Sequence, residues 1–217
     1  MFQQSLRTMP RLLVATGNRH KTEEIGAILG GDWQLEDLND HPDLTPAVED
    51  GDTFEANAVK KALGISRQCP GVLVLADDSG LEVDVLGGAP GVRSARYAGT
   101  GAGDADNRIH LLAELARLDP PPPPPLTARF RCVLALARDG GTLGTFDGTV
   151  EGRMIRAQRG RGGFGYDPLF VPEGHEQTFA ELPAEVKNGL SHRARALAAA
   201  IGSLQESGAN PAAGSGT

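Results

Sequence analysis

Apolar residues in this chain fall into short continuous runs and into two periodicities, and these patterns divide it into elements. Arg11-Leu12-Leu13-Val14-Ala15 and Val72-Leu73-Val74-Leu75 read as buried strands. Helical spacing follows the first strand through Ile25, Ile28 and Leu29 to Gly30-Gly31. It recurs at Phe54, Ala58, Ala62 and Ile65, within a helix expected from about residue 54 to 67. Ile109, Leu112 and Leu115 mark another buried helix face, with Asp104 as its cap, and Leu197, Ile201 and Leu204 mark a last one capped by Ser191. Strict alternation over Ala128, Phe130, Cys132, Leu134 and Leu136 runs up to Asp139-Gly140-Gly141, and Thr142 to Val150 return, so a hairpin is predicted.

Proline and glycine punctuate the rest. Pro120 to Pro125 form an unbroken run that can be neither helix nor sheet interior, which predicts a stiff surface connector between two elements of one domain. From Glu206 onward the residues are small, polar and Gly-rich, so a disordered tail is expected after a domain spanning 1–205. A chain of 217 residues with 40% apolar content can bury a sizeable core. Its formal charge of −7 argues against broad contact with nucleic acid, and any phosphate binding should be local. Two cysteines, Cys69 and Cys132, lack zinc-site spacing and fit reduced thiols in the cytoplasm. No signal peptide and no membrane span are legible.

Three stretches carry candidate chemistry. Thr16-Gly17-Asn18-Arg19-His20-Lys21 joins a strand to a helix, where free backbone N–H groups and the macrodipole favour an anion and Lys21 adds a point charge. A Walker A loop needs two glycines before its Lys-Ser or Lys-Thr, and the spacing from Gly17 to Lys21 is too short for it, which excludes that motif; an ordinary strand-to-helix turn fits this stretch equally well. Ala76-Asp77-Asp78-Ser79-Gly80-Leu81 places two carboxylates after an apolar strand, with a Ser-Gly turn expected next. Alternation sends Asp77 and Asp78 to opposite sides, one toward a reaction and one toward the turn. Gly163-Phe164-Gly165-Tyr166-Asp167 offers two aromatics and an acceptor, either as a stacking wall for a planar ligand or as a packed loop. Asn57 in a helix hints at a polar task, and the basic pair His192-Arg193 in the first turn of the last helix opposes its dipole unless an electron-rich ligand faces it.

Together with Phe54-x-x-Asn57-Ala58, Gly87-Gly88-x-Pro90-Gly91, Ser94-Ala95-Arg96-Tyr97 and Ser191-His192-Arg193, these motifs resemble the inosine triphosphate pyrophosphatase family over roughly Leu12 to Leu204. The resemblance implies an α/β fold with an elongated mixed central sheet flanked by helices, and two lobes around a substrate cleft. It also implies a homodimer, a required magnesium ion, and hydrolysis of dITP, ITP and XTP to the monophosphate and pyrophosphate. By the same resemblance Asp78 is metal ligand and proton acceptor, Glu49 is the second acidic residue on the metal, and Thr16, Gly17, Asn18, Arg19, His20 and Lys21 hold the triphosphate with Lys61. Ser79 touches the substrate, and Phe164, Gly165, Tyr166, Asp167, Lys187, His192 and Arg193 hold the base. At His20 the chain departs from bacterial members, which often carry Gly there. A pyrophosphatase of another base preference and a nucleotide sensor without turnover are the competing readings.

Overall fold

The computed structural model describes residues 9–209. Its scaffold is one six-stranded mixed sheet built from β1 (Arg11–Val14), β2 (Gln34–Asp37), β3 (Leu73–Val83), β4 (Leu126–Arg138), β5 (Gly141–Met154) and β6 (Phe170–Pro172), in the order β2-β1-β3-β4-β5-β6. The β1–β2 and β1–β3 pairs are parallel, and the remaining three pairs are antiparallel. Helices α1 (Arg19–Leu29), α2 (Phe54–Ser66), α3 (Asp104–Arg117), α4 (Ala184–Leu190) and α5 (His192–Ala209) flank it.

Strand alternation decides which helix each face meets. Leu73 and Leu75 of β3, with Cys132, Leu134 and Leu136 of β4, pack against Ile25 of α1 and Ala196, Leu197, Ala200 and Leu204 of α5. Val74 and Ala76, with Val133, Ala135 and Ala137, pack against Phe54, Ala58, Ala62 and Ile65 of α2. Both faces are covered, which is why these strands read as continuous apolar runs. A third cluster under α3 gathers Phe130, Phe170 and Phe179 around Leu81, Leu111 and Leu115. Each fully buried leucine here is worth about 2 kcal/mol of transfer free energy.

Four local expectations change. The Ser-Gly turn after Asp78 does not exist: β3 runs unbroken through Ser79 and Gly80, paired with Cys132 and Arg131 of β4. Gly80 is needed there for close approach rather than for turning, because a Cβ would collide with the Gly91 carbonyl oxygen and the Ser94 hydroxyl. Helix α3 is capped by Gly103, not Asp104, and it buries Leu111 and Leu115 with Asn107, while Ile109 is exposed. In α5 the apolar line is Ala196, Leu197, Ala200 and Leu204, and Ile201 faces solvent. That helix continues to Ala209, so the tail expected from Glu206 begins as helix; residues 210–217 lie outside the described residues.

The hairpin, the α2 stripe and the Ser191 cap, whose Oγ accepts from Ala194 N at 3.2 Å, are as the patterns predict. Pro120 to Pro125 connect α3 to β4 along an almost fully exposed path. Both cysteines are free. No helix among the described residues is long and apolar enough to cross a membrane.

Candidate active site

Two adjacent residues in mid-strand, Asp77 and Asp78, generate the site by pointing to opposite faces of β3. Asp77 shares the face of Leu73 and Leu75, so it meets α1 and α5. Its Oδ1 accepts from Lys21 Nζ at 2.6 Å and Ser79 Oγ at 2.8 Å, and its Oδ2 accepts from Arg193 Nε at 2.8 Å and the Cys132 thiol at 3.2 Å. Burial alone would raise the Asp77 pKa, but Arg193 and Lys21 hold it well below the usual carboxylate range. Asp78 faces α2, where its Oδ1 accepts from Lys61 Nζ at 2.9 Å and its Oδ2 from Asn57 Nδ2 at 3.2 Å. Here burial outweighs Lys61 and pushes the Asp78 pKa up. The polar task of Asn57 is therefore visible: it holds Asp78, and its Oδ1 accepts from Gly51 N at 2.8 Å.

Lys61 reaches a second carboxylate, Glu49 Oε1, at 3.3 Å. Glu49 is held in turn by Arg96, whose Nη2 donates to the Glu49 carbonyl at 2.9 Å. Its neighbour Asp50 turns outward to Lys60. Among the described residues no three His, Cys, Asp or Glu side chains converge as a preformed cage. Asp78 and Glu49, two hard oxygen donors bound to one ammonium, nevertheless suit magnesium, which is commonly held by one or two carboxylates together with substrate phosphates.

At the β1–α1 junction, Asn18 N donates to Thr16 Oγ1 at 3.1 Å, and Asn18 Oδ1 caps α1 by accepting from His20 N at 3.0 Å. Lys21, in the first turn, lies over the Asp77 carboxylate. The flanking side chains go elsewhere: Arg19 is exposed, 3.8 Å from Asp40, and His20 stacks on Phe164. Thr16 and Gly17 line a cleft of about 630 Å³ with Glu49 and Lys61. Asn18 and Lys21 line a second, of about 600 Å³, with Ser79, the Phe164–Asp167 segment, Lys187, His192 and Arg193. The loop therefore borders both.

The second cleft has an aromatic and cationic character. Phe164 is half-buried, with Lys187 Nζ 5.1 Å and Arg193 Cζ 5.7 Å from its ring centre. Tyr166 is almost fully buried, its hydroxyl donating to the Ser94 carbonyl at 2.9 Å. Asp167 takes Lys187 Nζ at 2.5 Å and Phe164 N at 2.9 Å; burial raises its pKa against the pull of Lys187. His192 stacks on Phe130 at 4.9 Å, and burial together with Arg193 keeps it neutral, its pKa well below normal. Its Nδ1 is buried and has no hydrogen-bond partner among the described residues.

One residue escaped the sequence reading. Glu24, on α1, accepts from Lys187 at 2.6 Å through Oε1 and from Arg193 through Oε2. Its spacing on α1, one turn beyond Lys21, was the available signal, but its partners lie in the last two helices.

Residues 12–202 match the profile of the Ham1 family. The dITP/XTP pyrophosphatase of Geobacter sulfurreducens is 51% identical over 191 residues, covering 88% of this chain and 94% of that protein. The protein of the same name from Desulforamulus reducens is 47% identical over 192 residues, covering 88% and 94% respectively. The solved structure of a HAM1 protein from Coxiella burnetii superposes with a TM-score of 0.78 at 36% identity, over 91% of this chain and all of that one. With a family match across nearly the whole sheet and both clefts, and relatives this similar over almost their full length, the chain belongs to the Ham1 family.

Proposed function

We propose that this protein hydrolyses dITP, ITP and XTP to the monophosphate and pyrophosphate, removing these nucleotides before they enter nucleic acid. The relatives named dITP/XTP pyrophosphatase support the reaction. The observation that carries it is the placement of one loop, residues 16–21, along two clefts, one bordered by Glu49 and Lys61 and the other by Phe164, Lys187 and His192. A triphosphate at the start of α1 then has its base in the second cleft and its reacting end beside β3.

Asp78 serves as proton acceptor for the attacking water, and its raised pKa suits that role. Asn57 and Lys61 fix its carboxylate. Asp78 and Glu49 would hold a magnesium ion, which would supply positive charge against the phosphoryl oxygens. Lys21 and the N–H groups at the head of α1 neutralise charge on the departing pyrophosphate. At the base, Phe164 supplies a stacking surface. Lys187 keeps one ammonium N–H beyond those given to Glu24 and Asp167, and His192 Nδ1, which has no hydrogen-bond partner among the described residues, supplies a second N–H in its Nδ1–H tautomer. Such donors match the oxygen at C6 of hypoxanthine and xanthine. By resemblance to the family we assign the enzyme as a homodimer in the cytoplasm, where its free thiols stay reduced.

The test is incubation with dITP, dGTP or dTTP and magnesium, following pyrophosphate. Release from dITP far above the other two supports the reading, and release of orthophosphate alone, or none, refutes it.

A further inference from the structure

His20 reaches from the 16–21 loop to the Phe164 ring on the base side of the site. Its backbone is fixed, because its N–H donates to Asn18 Oδ1 as part of the α1 cap. Its imidazole lies nearly parallel to the Phe164 ring, with centroids 5.5 Å apart and planes inclined by 17°. Lys187 Nζ at 5.1 Å and Arg193 Cζ at 5.7 Å are the cationic neighbours of the Phe164 ring, and His20 is its stacked aromatic neighbour. Phe164 sits between Gly163 and Gly165, both at positive φ, in a segment tied down by Phe164 N to Asp167, by Gly165 N to Asp104 at 2.7 Å, and by Arg108 to the Gly165 carbonyl at 2.7 Å. Those bonds fix the backbone and leave the ring to its neighbours. Phe164, Lys187 and Arg193 line the second cleft, whereas His20 does not. The imidazole thus backs the wall instead of filling the pocket.

We propose that His20 is a positioning residue for purine binding: it braces Phe164 from behind, so that the helix that receives the phosphates also holds up the surface on which the base stacks. This rests on the reading of the second cleft as the base pocket. It differs from a phosphate contact, because the ring is stacked on another ring and its Nδ1 lies 3.5 Å from the Glu23 carboxylate. A stacked pair of this kind contributes enough to change affinity by about two- to tenfold.

Five proteins test it: wild type, His20→Ala, His20→Phe, Phe164→Leu, and His20→Ala on the Phe164→Leu background. Calorimetric Kd for dITP without metal, Kd for inorganic tripolyphosphate, and KM with kcat for dITP hydrolysis are measured. The brace predicts that His20→Ala raises Kd and KM for dITP by about two- to tenfold, changes kcat less than KM, and leaves tripolyphosphate affinity alone. It further predicts that His20→Phe restores dITP affinity and that His20→Ala adds nothing once Phe164 is Leu. Equal weakening of tripolyphosphate and dITP in both His20 variants would make His20 a phosphate residue and overturn the proposal, as would an unchanged Kd for dITP in His20→Ala. Wild type that binds dITP without hydrolysing it defeats the proposed activity, and the Kd comparison still decides the brace.

Discussion

Asp77 and Asp78 are adjacent in β3, yet their carboxylates titrate in opposite directions from the usual value. Asp77 contacts Lys21 and Arg193 on the α1–α5 face and stays ionised, whereas Asp78, buried on the α2 face, has its proton affinity raised. The first is an anchor for cations, and the second has the raised proton affinity that the proposed role of proton acceptor needs.

Replacing Asp78 with Asn should therefore separate activity from stability. Turnover of dITP should fall by about 10²- to 10⁴-fold, the range for loss of a positioned proton acceptor. A folded-state pKa above the unfolded one means that Asp78 favours folding below the unfolded value and that this gain is lost as pH rises through the folded value. At pH 7 the ionised carboxylate is thus a cost to the metal-free protein, set against the partner that buried Lys61 loses on substitution, so Asp78→Asn should change Tm far less than Asp77→Asn does. Pyrophosphate release and thermal melts of the metal-free protein decide it; a well-folded variant with near-normal kcat would remove Asp78 from the chemistry.

Asp77→Asn should do the reverse and damage the fold. It leaves Arg193, which is 1% exposed, without its main carboxylate, and breaking a buried pair on one side costs about 3–5 kcal/mol. The sign with pH is opposite to that of Asp78. A depressed folded pKa gives stability that is present above the unfolded value of about 3.9 and is lost as pH falls through the lower folded value. Urea unfolding at pH 7 and at acid pH should show the difference between wild type and Asp77→Asn shrinking toward the acid end. A difference that stays constant with pH would mean that the charge of Asp77 contributes nothing.

Much of this was legible in the sequence, and the parts that were not share a cause. Alternation alone placed Asp77 and Asp78 on opposite faces, and the α2 stripe put Asn57 beside the buried positions, whereas Lys61, further round the helix by its spacing, is buried because it pairs with Asp78. Ser79-Gly80 misled because both residues favour turns, while the force that keeps the strand straight is pairing with Cys132 and Arg131, more than fifty residues away. Glu24 carried no signal of its own because its partners, Lys187 and Arg193, come from the far end of the chain. Ile109 was placed inward because its helical spacing to Leu112 suited a buried face equally well, and only packing against Phe130 and its neighbours selects Leu111 instead.

Glu24 yields a third prediction. One carboxylate holds two base-side cations, so Glu24→Gln should weaken their orientation while preserving the length and shape of the side chain. The expected result is a fall of about tenfold in kcat/KM for dITP, equivalent to the roughly 1.4 kcal/mol of one charge-assisted hydrogen bond. Inhibition by tripolyphosphate should be unaffected. Loss of tripolyphosphate inhibition to the same degree would place the effect in α1 as a whole and not in the base pocket.

The strongest test of the base pocket is discrimination between oxygen and amino groups at C6. Hypoxanthine presents an acceptor there and adenine a donor, while Lys187 has a spare N–H and His192 adds a second in its Nδ1–H tautomer. A buried donor set against a donor is left unpaired, and mismatches of this kind discriminate by about 10⁴-fold or more, against roughly 10²-fold for shape alone. Arg193→Ala is an unsuitable probe, because each guanidinium nitrogen is already engaged, with Asp77, Glu24 or Ser79, and its removal would unpair Asp77. His192→Ala is better. Its ring stacks on Phe130, so some stability will be lost, but the ratio of kcat/KM for dITP to that for dATP, measured in one sample, does not depend on the fraction of protein folded. That ratio should be about 10⁴ or more in wild type and should fall by at least tenfold in His192→Ala. Comparable values for dITP and dATP on wild type would remove the base from the second cleft, even if pyrophosphate were still released.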